Sequence, residues 1–139
     1  MYRLVYVSTA RENLTDQDMA AILDTAQSNN HERYLTGFLA HNGSNFMQAL
    51  EGEEAEVREI YEQILKDDRH QGIVQILGEE ITERAFPDWA MNYFRVDEPG
   101  TGAMVVRRDD PVDSLLPEGM PRELLHMFTR FMRIESLVS

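Results

Sequence analysis

Cysteine is absent from the 139 residues. Disulfides, thiolate metal sites, cysteine nucleophiles and any flavin photochemistry that proceeds through a cysteinyl adduct are therefore excluded. Positive charge is scarce as well: 13 Lys and Arg stand against 25 Asp and Glu, a formal net charge of -12. That balance opposes the phosphate backbone of DNA or RNA and argues against nucleic acid as a direct partner. Neither GxGxxG nor the P-loop pattern occurs, so no glycine-rich phosphate loop is present. The opening MYRLVYVSTARENL lacks the apolar core of a signal peptide and the ~18 apolar residues of a membrane span. A cytoplasmic protein without a membrane partner is the expectation. There is no internal repeat and no low-complexity tract.

What is present suits one globular domain. Hydrophobic residues make up 42% and charged residues 27%, too apolar for a disordered chain. A chain of this length buries roughly two-thirds of its unfolded surface in a single core.

The patterning predicts an α+β fold. YRLVYVS (2–8) is rich in aromatic and branched residues and reads as a strand. Thr15 stands as an N-cap before a helix in which Met19, Ile22, Leu23 and Ala26 recur at helical spacing, with Asn29 and Asn30 at its end. Residues 34–50 read as a hairpin turning at Asn42-Gly43. A second helix follows, with Val57, Ile60, Tyr61, Ile64 and Leu65 on one face. Further strands are expected over 73–81 and 89–96. The order β-α-β-β-α-β with a fifth strand is the ferredoxin-like arrangement, with both helices on one face of a mixed sheet. Residues 97–120 read as an irregular connection with a short helical turn near 112–116. Pro121 then opens a helix whose Leu124, Leu125, Phe128, Phe131 and Met132 form an apolar stripe. The strands are apolar on both faces, so this last helix is expected to cover the face the first two leave open, in its own chain or in a dimer partner.

Alternation places Phe46, Gln48 and Leu50 of NFMQALEG on one buried face. A buried glutamine is uncommon, because each unsatisfied group costs about 1–3 kcal/mol. Tyr6, Trp89 and Met91 also fall on core-facing strand positions. A buried Tyr or Trp ordinarily needs only one hydrogen-bond partner, but if Tyr6 and Gln48 share the helix-covered face of adjacent central strands, the phenol would bond the amide in a polar relay and leave the other amide end for a ligand. Asn29 and Asn30 are open to two readings, a plain helix cap or recognition of the edge of a planar amide-bearing ring. In KDDRH, Arg69 and His70 suit the negative end of the second helix dipole. His31, His41, His70 and His126 lack the spacing of a metal site, and none is assigned.

Taken in order, YVS on the first strand, NN at the helix end, LTG, FMQALEG, DDRH and FPDWAM make the chain resemble the BLUF family, blue-light sensors that hold flavin adenine dinucleotide (FAD) without covalent attachment. The resemblance spans roughly residues 1–95. It implies a sensor over 1–96 and a C-terminal helical extension over 97–139. Tyr6 and Gln48 are the implied photochemical pair. Asn30, with Asn29 beside it, is expected at the polar edge of the isoalloxazine ring and Arg69 at its far carbonyl. Ile22, Leu39, Phe46 and Ile64 are the implied apolar walls, and Ser8, Asp67 and His70 complete the set. The family mechanism is electron transfer from the tyrosine to the excited flavin with a proton moving through the glutamine. Recombination leaves a rearranged glutamine, a slightly red-shifted flavin and an unchanged chromophore, and output runs through the Trp89/Met91 strand. About 40 residues follow the matched region, too few for a catalytic domain. A sensor that is not itself an enzyme is therefore expected, acting on self-association as a homodimer or larger homo-oligomer, or on a separate protein. Two other readings stand beside it. An acylphosphatase-like hydrolase would want a glycine-rich anion loop where STARENL offers only Arg11, and a passive interaction module would dock through the last helix.

Overall fold

The computed structural model describes residues 1–12, 14–42, 44–87, 91–96, 104–106, 116 and 120–133. Its elements are β1 (Tyr2–Ala10), α1 (Asp16–Arg33), β2 (Thr36–His41), β3 (Asn45–Gly52), α2 (Glu54–Leu65), β4 (His70–Glu80), β5 (Asn92–Val96), β6 (Met104–Val106) and α3 (Arg122–Arg133). The sheet order is β4-β1-β3-β2-β5-β6. The first four strands pair antiparallel, and β5 and β6 add on in parallel. This is the expected ferredoxin-like arrangement with its fifth strand. The short β6 is an addition, lying in a segment that composition marked as irregular.

Register decides what faces what. Tyr6 lies opposite Gln48 and Leu4 opposite Leu50 across β1 and β3. Leu39 lies opposite Gln48 across β2 and β3, and Tyr93 opposite Leu39 across β5 and β2. Side chains opposite one another share a face, so these residues form one row under α1 and α2. Met19, Leu23, Val57 and Ile60 cover that row. The alternate residues Val5, Phe38, Ala40, Met47, Ala49 and Phe94 point the other way, where Leu124, Phe128, Phe131 and Met132 of α3 close over them. Gly37 of the LTG segment permits the close approach of β2 to β3, because a Cβ there would collide with the carbonyl oxygen of Ala49.

Several boundaries differ from the sequence reading. The Thr15 cap forms as a full capping box: its hydroxyl accepts from Asp18 N, and Asp18 Oδ2 accepts from Thr15 N, both at 3.0 Å. The helix does not stop at Asn29 and Asn30, however. It continues to Arg33 and ends at Tyr34 in the left-handed region (φ 56°), so the two asparagines are not its caps. Tyr34, read as the start of a strand, is exposed, and β2 begins at Thr36. Leu65 is off the core-facing stripe of α2 and half exposed. β4 begins earlier than expected, at His70, and β5 later, at Asn92. Gly43 of the hairpin turn, Trp89 and most of the turn expected near 112–116 lie outside the described residues; Leu116 is described and buried.

Candidate functional site

A cleft runs between α1, α2 and the sheet. Its walls come from Ile22, Thr25, Ala26, Asn29 and Asn30 on α1 and from Ile60 and Ile64 on α2. Tyr6, Leu39, Phe46 and Gln48 line it from the sheet, and Asp67 and Arg69 line it from the segment after α2. It encloses about 530 Å³ of non-atom space with its mouth included. The cleft is a slot with mostly apolar walls and a few convergent polar groups.

Tyr6 and Gln48 meet at its floor. The Tyr6 hydroxyl donates a hydrogen bond to Gln48 Oε1. With that oxygen engaged, the amide nitrogen is turned to Met91, donating to its Sδ at 3.6 Å. Burial raises the Tyr6 phenol well above the ordinary tyrosine range, with smaller contributions from Asp67 and Tyr61. Phenolate is disfavoured, so the hydroxyl stays a donor. The ring of Tyr61 lies 5.7 Å from that of Tyr6, tilted by 47°.

The polar end of the slot belongs to the helix termini. Asn30 is buried, and its main-chain carbonyl accepts from Leu35 N at 2.9 Å. Arg69 forks onto Asp67, Nε to Oδ1 at 2.9 Å and Nη2 to Oδ2 at 2.6 Å, and this pairing raises the guanidinium further above its usual range. Ser8 is buried on β1 but does not line the slot, and neither does Met91, which is reached through Gln48. The backbone of His70 opens β4, while its side chain and Trp89 lie outside the description. Thr25, Ala26 and Ile60 also line the slot, although sequence reasoning did not assign them to it. Helical spacing carried the signal: Thr25 and Ala26 follow Ile22 by three and four residues and Ile60 precedes Ile64 by four.

A buried Tyr–Gln pair at the floor of a mostly apolar cleft between two helices is the arrangement of a small-molecule-binding domain. The chain belongs to the BLUF family, sensors of blue light using FAD, whose model matches residues 1–92. It is 31% identical over 116 residues to the blue light- and temperature-regulated antirepressor BluF of Escherichia coli (strain K12), covering 84% of this chain and 27% of that protein. It is 33% identical over 89 residues to the photoactivated adenylate cyclase subunit beta of Euglena gracilis, covering 63% of this chain and 10% of that protein. The chain thus spans a minor part of the length of these curated relatives. Among solved structures, dark-state BlrB, a BLUF protein, superposes with a TM-score of 0.66 at 34% identity, covering 68% of this chain and 71% of that one. Photo-activated BlsA superposes with a TM-score of 0.68 at 26% identity, covering 99% of this chain and 98% of that one.

The residues present fit the family's cofactor. Isoleucine, leucine and phenylalanine walls suit the faces of a fused ring system, and side-chain amides suit its donor and acceptor edge. Among the described residues, no helix is long and apolar enough to cross a membrane.

Proposed function

We propose that Tyr6 and Gln48 are a light-driven hydrogen-bond switch beside FAD, which is held without covalent attachment. In this reading residues 1–96 sense light, and 97–139 carry the output to self-association or to a separate protein. The chain acts as a sensor and not as an enzyme. The observation that carries the reading is the buried hydrogen bond from Tyr6 to Gln48 Oε1 at the floor of the slot.

Asn29 and Asn30 would hold the polar edge of the ring system and Arg69, braced by Asp67, its far carbonyl. Ile22, Leu39, Phe46 and Ile64 would keep water from its faces. When bound and excited by blue light, FAD supplies a one-electron acceptor. Tyr6 would be the donor, and its burial would couple proton to electron: a phenol that has lost an electron in so apolar a place would shed its proton to the group its hydroxyl already bonds, Gln48 Oε1. Return of the electron and of that proton to Tyr6 would leave Gln48 free to settle in a different arrangement. The amide then exchanges its contacts with Tyr6 and Met91, and so changes what it offers to the cleft. Ser8 and His70 would complete the cofactor-binding set, and Trp89 and Met91 would carry the signal.

Light-minus-dark absorption of the purified, flavin-loaded chain tests the reading. A reversible red shift is expected, retained flavin with no shift is expected in Tyr6→Phe, and failure of the parent chain to take up FAD overturns the proposal.

A further inference from the structure

A buried carboxylate lies on the side of the sheet away from the slot. Glu51, near the end of β3, is wholly shielded from solvent. Its Oε2 accepts from Arg3 Nε at 2.8 Å and from Ala85 N at 3.1 Å, and its Oε1 accepts from Phe86 N at 2.9 Å. Arg3, itself buried, also reaches Glu79 through Nη1 at 2.8 Å. A carboxylate taken out of water is tolerated only when its lone pairs are filled. Here two of the three donors are main-chain amides of the strap 82–87, which follows β4. Arg84 ties the same strap down from its outer side, with Nη1 bonding Thr36 Oγ1 and Glu51 O at 2.9 Å each and Nη2 bonding Tyr34 O at 2.6 Å.

What the strap carries gives this anchoring a use. Phe86 is fully buried and sits edge-on to Phe38 at 5.2 Å, and Phe38 meets Phe128 of α3 at 5.3 Å. Five residues further along the chain is Met91. Its sulfur takes the amide hydrogen of Gln48, and its carbonyl accepts from Gln27 Nε2 at 3.2 Å. Met91 therefore bears on the switch and Phe86 on the α3 core. Glu51 holds the strap three residues from Gln48 on the same strand.

We infer that Glu51 is a positioning residue for signal output, its carboxylate latching the strap 82–87 so that displacement begun at Gln48 is delivered along β3 through Glu51 and Phe86 to α3. A strap without this latch would absorb the displacement locally. The inference rests on the proposed Tyr6–Gln48 switch.

Hydrogen exchange over 122–133 in the flavin-loaded full chain, dark against light, tests it in the parent, in Glu51→Gln and in Arg84→Met. Glutamine keeps the size but presents one oxygen to three donors and turns its own NH₂ against one of them, so at least one strap amide is released. The expected result is a light-dependent difference in the parent, loss of that difference in Glu51→Gln with the red shift undiminished, and a smaller difference in Arg84→Met. If Glu51→Gln does not fold, Arg84→Met decides: a diminished difference supports the latch and an undiminished one overturns it. A variant that merely melts earlier while α3 still responds fully to light shows a structural role only and also overturns it. A parent chain that red-shifts but shows no response in α3 overturns the latch and leaves the switch standing, whereas a parent with no red shift fails on the switch itself.

Discussion

The two faces of the sheet are built from alternate residues of the same strands, yet they differ in kind. On the α3 side Val5, Phe38, Ala40, Met47 and Phe94 meet Phe128, Phe131 and Met132 in a closed apolar layer, with Phe38, Phe94 and Phe128 edge-on to one another. On the other side Tyr6, Leu39, Phe46 and Gln48 are as deeply buried, but α1 and α2 leave a slot over them. Burial does not separate the two. What separates them is whether the covering helices meet the sheet: the Tyr6–Gln48 pair sits where they do not, whereas Arg3 and Glu51 on the far face lie at strand ends beneath the strap. A close-packed layer has one arrangement, whereas a glutamine at the floor of a slot has neighbours it can exchange.

The comparison can be broken at either face. The largest stability effect is expected from Phe128→Ala, about 3–5 kcal/mol lost by cavity formation and loosening of α3, read by urea unfolding. The light-minus-dark spectrum of the folded fraction should be unchanged, and a spectrum lost in proportion would show that the faces are not separable.

Next comes acid. His41, on β2, is buried and stacked on Phe46 at 4.7 Å, with no hydrogen-bond partner at either ring nitrogen among the described residues. Burial, aided by Arg95, lowers it from 6.5 to about 4. Between those values the unfolded chain binds the proton more readily, so stability is full above about pH 6.5 and falls as pH drops toward 4. By linkage the loss amounts to about 3 kcal/mol at most. Acid titration of the unfolding midpoint should show this limb, and His41→Phe should flatten it.

Gln48→Leu sharpens the contrast from the slot side. It should change stability by no more than about 1–2 kcal/mol in either direction while abolishing the red shift and retaining flavin. A normal shift in that variant would place the switch elsewhere. The smallest effect is Thr15→Ala, about 1 kcal/mol from the lost cap with no spectral change, measured by thermal melts.

Much of this was legible in one dimension. Alternation on β1 and β3 put Tyr6 and Gln48 inward, and the α3 stripe announced a second buried face. Other features were not. Asn29 and Asn30 looked like a helix end because asparagine favours caps, but packing carried α1 another turn, to Tyr34. β6 escaped because three residues in parallel pairing need a neighbour already in place. Glu51 read as an ordinary acidic residue at a strand end. Nothing within a few residues of it announces that Ala85 and Phe86 will return to fill its oxygens.

By itself the sequence determined the exclusion of thiol chemistry, the order of strands and helices apart from β6, and which side chains of β1 and β3 point inward, because composition and periodicity are local. The tertiary structure alone decided that the inward faces are unequal: one is sealed by α3 and the other left as a slot lined from α1, α2 and three strands, with a strap tied to a carboxylate 34 and 35 residues away. Such contacts depend on register and on how far helices stand from a sheet, quantities that exist only once distant segments have packed.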